Sequence, residues 1–316
     1  MEKKENFTRS VKNELASYSY EKEELKYILS GFARNGGTFS IGKNPTLHLR
    51  TEIASVAKTL YRALKECYGL SPRIAYEKVT RFKRGIAYRV VVSSPELYHI
   101  MEDLEVLKDG IERMVPKAGL RKNNFRFLLI GVFLSSGSVN NPTTSKTSYF
   151  LEMSFNSKND AMAIKRKLLT FKEEKTMSFK MIKRREKQVL YLKRSDQISV
   201  FLSFIGATSA MFSFENARIM KEDININNRL SICDSANYGK TLSTAKKDIE
   251  GIKRLLKTKP LPLFDKKTQD VITVRLEHAD FNYREIAEYL SQRGTPISKS
   301  GVVHIITGLR DEIEKL

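Results

Sequence analysis

Two stretches of this 316-residue chain are copies of one another: LKYILSGFARNGGTF (Leu25–Phe39) and FRFLLIGVFLSSGSV (Phe125–Val139) superpose at an offset of 100, setting Gly31 against Gly131 and Gly37 against Gly137. Self-similarity at a fixed period constrains a fold more than local propensity does, because each copy is a unit whose apolar face another unit must cover. Each stretch reads as an apolar helix. Its first glycine suits close helix-helix contact, and its second suits a C-terminal stop.

The elements downstream of each copy keep step. After the first helix come a strand at Leu47–Thr51 and a helix at Glu52–Tyr68, in which Ile53, Val56, Ala57, Leu60, Leu64 and Cys67 hold helical spacing before Gly69. After the second come a strand at Phe150–Phe155 and a helix at Lys158–Leu169. Both copies then show a strand pair joined by a basic turn, Arg73–Thr80 with Ala87–Val92 and Ser178–Arg184 with Gln188–Lys193. A helix closes each copy: Ser94 and Pro95 precede Leu97, Ile100 and Met101, and Ser195 precedes Ile198, Phe201 and Leu202. The fold class is therefore α+β. Two αββαββα repeats, about 20–105 and 121–206, pair through their glycine-bearing helices into one pseudo-twofold domain over residues 1–220.

The charge is unevenly spread. The chain carries a formal +20; residues 1–209 hold 38 Lys and Arg against 21 Asp and Glu, a net +17, and the remainder holds only +3. A field of that sign concentrates polyanions, so nucleic acid is the leading partner and an anionic membrane the second; a solubility charge is the plain alternative. With 41% hydrophobic and 29% charged residues the composition is that of a folded protein. Cys67 and Cys233 are far apart and lack nearby histidines, which argues for neither a disulfide framework nor a zinc site and fits a reducing cytoplasm. The N-terminus MEKKENFTRSVKNEL has no apolar signal core, and no stretch approaches a membrane span, so a cytoplasmic protein is expected.

Beyond a helix at Ala210–Met220, the polar segment DININNRLSICDSANYGKT lacks periodicity and reads as a linker; Thr241 can cap a helix bearing Leu242, Ala245, Ile249, Ile252 and Leu255, which Pro260 and Pro262 end. Residues 221–260 are thus linker and connecting helix, and 261–316 a helical domain. It has helices at Lys266–Glu277 and Tyr283–Gln292, the turn GTPIS, and a last helix from Lys299 to Lys315, capped by Ser298, with Val302, Ile306, Leu309 and Ile313 inward. This is a helix-turn-helix outline. Its second helix would offer base edges Lys299, Ser300, Val303, His304 and Thr307. A small three-helix domain that binds protein is the plain alternative, and the low charge of the region suits it.

The repeat resembles the LAGLIDADG homing-endonuclease fold, with Leu29-Ser30-Gly31-Phe32-Ala33-Arg34-Asn35-Gly36-Gly37 and Leu129-Ile130-Gly131-Val132-Phe133-Leu134-Ser135-Ser136-Gly137 at the two motif positions. The resemblance implies a metal-binding carboxylate at the eighth position of each motif, where this chain has Gly36 and Ser136. Neither can hold a hard cation, so cleavage by that route is not expected, and neither a catalytic residue nor a metal or other cofactor is assigned. Over its full length the chain resembles the WhiA-type sporulation and cell-division regulators. FTRSVKNEL (Phe7–Leu15), GVFLSSGSVNNP (Gly131–Pro142), NRLSICDSANYGKT (Asn228–Thr241) and ISKSGVVH (Ile297–His304) carry that resemblance jointly. It implies a non-enzymatic transcription regulator, acting in cell division and chromosome segregation on double-stranded DNA. The last helix departs from the family pattern, with Val303, Ile305, Thr307 and Gly308 where exposed Asn, Arg or Lys are usual.

In the nuclease fold two sheets saddle a duplex. Arg81, Lys83, Arg84 and Arg89 surround the first hairpin here, and Lys180, Lys183, Arg184, Arg185, Lys187, Lys193 and Arg194 the second. Such side chains neutralise phosphates without reading bases. Tyr76, Phe82, Tyr88 and Tyr191 are expected to pack within the sheets. Two other readings stay open: an active endonuclease in which Asp160 or Glu152 replaces the lost carboxylates, and an interaction module whose helices dock RNA polymerase or a sigma factor. A monomer is expected.

Overall fold

The computed structural model describes residues 6–79, 85–108, 112–113, 116, 120–140, 149–171 and 177–315. Its elements run α1 (Phe7–Ser17), α2 (Lys22–Gly36), β1 (Gly37–Ser40), β2 (Thr46–Thr51), α3 (Ala54–Tyr68), β3 (Arg73–Val79), β4 (Gly85–Ser93) and α4 (Leu97–Asp103), then the short pair β5 (Leu107–Lys108) and β6 (Glu112–Arg113). The second copy comes next as α5 (Lys122–Ser136), β7 (Gly137–Val139), β8 (Leu151–Phe155), α6 (Lys158–Leu169), β9 (Lys180–Arg184), β10 (Lys187–Leu192) and α7 (Ser195–Ile205). Last come α8 (Thr208–Thr258), α9 (Lys266–Glu277), α10 (Tyr283–Gln292) and α11 (Lys299–Ile313).

The two copies have one topology, helix-strand-strand-helix-strand-strand-helix. The sheets are antiparallel and equivalent in order, β1-β2-β4-β3 and β7-β8-β10-β9. Their centre is the pair α2 and α5. A Cβ on Gly31 would land on the carbonyl oxygen of Leu128, and a Cβ on Gly131 on that of Ile28, so backbone touches backbone at both points and no larger residue fits. Around this contact Ile28, Leu29, Phe32, Phe125, Leu129 and Phe133 are buried in a core that both repeats share.

Gly37 and Gly137 do end these helices, but not as left-handed caps. Their φ angles are −97° and −71°, and the chain passes straight into β1 and β7. Glycine is needed there because a Cβ would press on Ala33 in the first copy and on the Phe133 ring in the second.

The chain divides into two compact units, Met1–Lys221 and Glu222–Leu316. α8 lends Ala210 and Phe214 to the core of the first and Ile252 and Leu255 to that of the second. The segment read as an aperiodic linker is helical throughout, and Thr241 caps nothing: it lies inside α8 and its hydroxyl donates to the Asn237 carbonyl. Residues 222–240 are exposed, so no buried stripe was there to give a periodic pattern. In the second unit α9, α10 and α11 close on Val271, Ile286, Leu290, Val302, Ile306 and Leu309.

Candidate nucleic-acid interface

Strand register decides which side chains face away from the helices. In the first sheet Leu47, Leu49, Val90 and Val92 point into the core, leaving His48, Arg50, Arg89 and Val91 on the open face, where Arg50 and Ala75 both stand opposite Arg89. In the second, Leu151, Met153, Leu190 and Leu192 are buried. The pairs Tyr191–Lys180 and Lys187–Arg184 therefore lie on the open face with Glu152. Lys193 continues that face just past β10, with its ammonium 5.7 Å from the Tyr191 ring centre. Lys183 pairs with Gln188 and so shares the side of Leu190, at the exposed end of the hairpin.

Part of this positive charge is neutralised from within, at one acid per sheet. Glu77 accepts hydrogen bonds from Arg89 and from Arg50 Nε, the latter at 3.4 Å. Desolvation pushes its carboxyl up, but the bonds and charges of the two guanidinium groups together outweigh that and hold it below the usual carboxylate range. Glu152 accepts from Arg184 Nη1 at 2.9 Å on the second sheet. Arg194 pairs likewise with Asp196. These acids orient the arginine forks and reduce the free charge, which leaves Lys180, Lys187 and Lys193 as the less committed cations.

The tip of the second hairpin is the two-residue turn Arg185-Glu186, with Arg185 in the left-handed region at φ 55°, a conformation that favours glycine or asparagine. Arg81, Lys83 and Arg84 of the first hairpin, and Phe82 with them, lie outside the described residues. Tyr88 and Tyr191 are half-buried as expected, whereas Tyr76 is 73% exposed and touches Tyr88 edge-on. It belongs to the helix-facing side of β3, beyond the last core residue Ile74, where nothing described covers it.

The degenerate motif positions sit together. Gly36 and Ser136 are the last residues of α2 and α5, a Cβ on Gly36 would stand 3.1 Å from that of Ser135, and the Ser136 hydroxyl donates to Val132 O. The two alternative carboxylates are engaged elsewhere: Asp160 is fully buried, 3.6 Å from the guanidinium of Arg34, and Glu152 holds Arg184. Among the described residues no three His, Cys, Asp or Glu gather as a cation would require. Neither cysteine forms a disulfide, and no described helix is long and apolar enough to cross a membrane.

In the second unit Ser298 caps α11 by accepting from Gly301 N at 3.1 Å. Lys299, Ser300, Val303, His304 and Thr307 are all exposed, opposite the buried Val302, Ile306 and Leu309. Two of the hydroxyls bond locally: Ser300 meets Ser298 at the helix start, and Thr307 donates to the Val303 carbonyl one turn back. Sequence reasoning missed a polar cluster behind this helix. Asp248 is buried and accepts from Arg310 Nε at 2.8 Å and from the Tyr283 hydroxyl at 3.0 Å. Only the i, i+4 spacing of Thr244 and Asp248 hinted at a polar stripe there.

Two repeats closed on paired glycine helices, carrying an open basic sheet face each and followed by a helix-turn-helix, define a LAGLIDADG-like scaffold with an appended helix-turn-helix. The chain belongs to the WhiA family: models for the WhiA N-terminal LAGLIDADG-like domain, the WhiA LAGLIDADG-like domain and the WhiA C-terminal HTH domain match residues 22–107, 125–223 and 227–311. Similar relatives, each named a probable cell division protein WhiA, include one from Exiguobacterium sibiricum, 34% identical over 98% of this chain and 96% of its own, and one from Lactobacillus acidophilus, 32% identical over 98% and 99%. The full-length DUF199/WhiA crystal structure from Thermatoga maritima has the same fold, at a TM-score of 0.59 and 18% identity over 99% of both chains.

Proposed function

We propose that this protein is a non-catalytic, DNA-binding regulator of transcription that acts in cell division and chromosome segregation. The observation that carries the reading is the basic open face of the second sheet, where Lys180, Arg184, Lys187 and Lys193 align by register beside the Arg185 tip. Cations so placed neutralise backbone phosphates. The exposed face of α11, with Lys299, Ser300, Val303, His304 and Thr307, would add placement on a site. Arg89, Lys183 and the first-hairpin residues Arg81, Lys83 and Arg84 complete the proposed saddle. The domain layout we propose is a LAGLIDADG-like domain over 1–220, a connecting segment over 221–260 and the helix-turn-helix over 261–316. The protein would act as a monomer in the cytoplasm, on the nucleoid.

Engagement of Asp160 and Glu152 by arginines, together with Gly36 and Ser136 at the motif ends, supports the absence of strand cleavage in this reading. A second reading, docking of RNA polymerase or a sigma factor by the helical domain, is favoured by Val303, an apolar residue 38% exposed on the same α11 face. A mobility-shift titration on duplex DNA at several salt concentrations tests the first reading. Affinity that falls steeply with salt is expected; absence of binding at low salt, or binding indifferent to salt, would remove it.

A further inference from the structure

The segment Asn228–Thr241 carries part of the family resemblance, yet the sheet face and α11 leave it without a task. Its last two residues, Lys240 and Thr241, border a cleft of about 170 Å³, partly open to solvent, that Thr244, Arg275, Asn282 and Tyr283 complete. All six lie in the second unit. They come from three elements: Lys240, Thr241 and Thr244 from one side of α8, Arg275 from the end of α9, and Asn282 and Tyr283 from the start of α10.

We propose that this cleft is a seat for a phosphate oxyanion. Three features carry it. Lys240 and Thr244 are one helical turn apart, so an ammonium and a hydroxyl stand on the same stripe of α8. Arg275 is 1% exposed, an unusual place for a guanidinium, and its fork is only partly used: Nη1 donates to Phe281 O at 2.7 Å, while the buried Nε has no hydrogen-bond partner. The charge balance is also positive. Lys240, Arg275 and Arg310 stand against two carboxylates: Asp248, which Arg310 and Tyr283 already bind, and Glu285, which accepts from Asn282 N at 2.6 Å.

A planar arginine fork beside a lysine and hydroxyls suits a tetrahedral oxyanion. A phosphodiester of duplex DNA or a free phosphate would supply the same chemistry. The seat goes beyond the DNA reading, which provides one of these two sources.

The test uses the full chain and its Lys240→Gln and Thr244→Val variants, which keep helix-compatible residues at accessible positions, with Lys246→Gln as an exposed control on the same helix. Each is titrated with inorganic phosphate by calorimetry and with a short duplex by fluorescence anisotropy, after a thermal melt has shown the fold intact. If the phosphate is DNA-borne, Lys240→Gln weakens duplex binding about fivefold and lowers the salt slope by about one, and the control does neither. If it is free, the duplex affinity stays and the heat of inorganic phosphate binding disappears. Both outcomes support the seat. Unchanged titrations with both probes, or equal losses in Lys246→Gln, overturn it. Should the parent chain bind no duplex at all, the DNA reading fails, while the phosphate titration still decides the seat.

Discussion

Arg34 is the side chain that ties the two repeats together at one point. Its guanidinium, 1% exposed, stands 3.6 Å from Asp160 of α6 and also donates to the carbonyl of Glu105. A buried guanidinium that loses its carboxylate keeps its desolvation cost without the compensating charge. Asp160→Ala is therefore expected to cost about 3–5 kcal/mol in urea unfolding, and the double change Arg34→Met with Asp160→Leu to recover most of it. A loss under about 1 kcal/mol, the range of an exposed pair, would refute this. Lys12 shows the opposite imbalance. It lies nine-tenths buried over the Phe133 ring, and desolvation lowers its pKa to about 8, with Glu52 pulling the other way. Between that value and its ordinary 10.5, the unfolded chain holds a proton that the folded chain has released, so stability rises with pH across this window and is lowest below it. Lys12→Met should raise stability at pH 7 by on the order of 2–3 kcal/mol and abolish the rise, which melting temperatures recorded from pH 7 to pH 11 would show.

At the scale of elements, helix and hairpin ends carry the information. The first N–H groups of α8 are satisfied from a distance: the Glu14 carboxylate accepts from Ser209 N at 2.7 Å and from Ala210 N at 2.9 Å. This docks α1 across the entry of α8 and also meets the helix dipole. Glu14→Ala is expected to lower the stability of the first unit by about 1–2 kcal/mol; Glu14→Gln, able to cap but uncharged, should lose less. In the second hairpin Arg185 holds a left-handed backbone at a cost that glycine avoids. Arg185→Gly should therefore stabilise the unit by up to about 1 kcal/mol and yet reduce the salt slope of DNA binding by about one. A variant that gained stability with DNA binding untouched would make the tip a structural accident.

Over the whole molecule, the formal +17 of residues 1–209 against +3 for the rest sets where phosphate affinity should reside. Exchanging Lys180, Lys187 and Lys193 together for Gln is expected to lower the slope of log affinity on log salt by about 2–3 for every duplex tested. His304→Ala with Lys299→Ala in α11 should instead alter the preference between sequences and leave most of the slope. The reverse assignment, seen in the same anisotropy titrations, would move the phosphate surface to the helix-turn-helix.

The sequence alone was enough for most of what depends on neighbours in the chain, Thr241 in the middle of α8 being the exception. Period and spacing located the two copies, α9 and α10 fell at the bounds expected, and Ser298 caps α11 as its position announced, because caps and i, i+4 stripes are set within a few residues. It was silent wherever partners are far apart or burial is absent. The middle of α8 is helical without a buried stripe, Tyr76 lies on a core-facing side that runs past the core, and the bonds of Arg34 to Asp160 and of Glu14 to α8 join residues more than a hundred positions apart. The paired glycines were thus legible in the sequence. Which cations share a face, which acids neutralise them, and how Lys240 and Arg275 come to border one cleft were decided by tertiary packing, since only the closed fold brings distant charges within reach of each other.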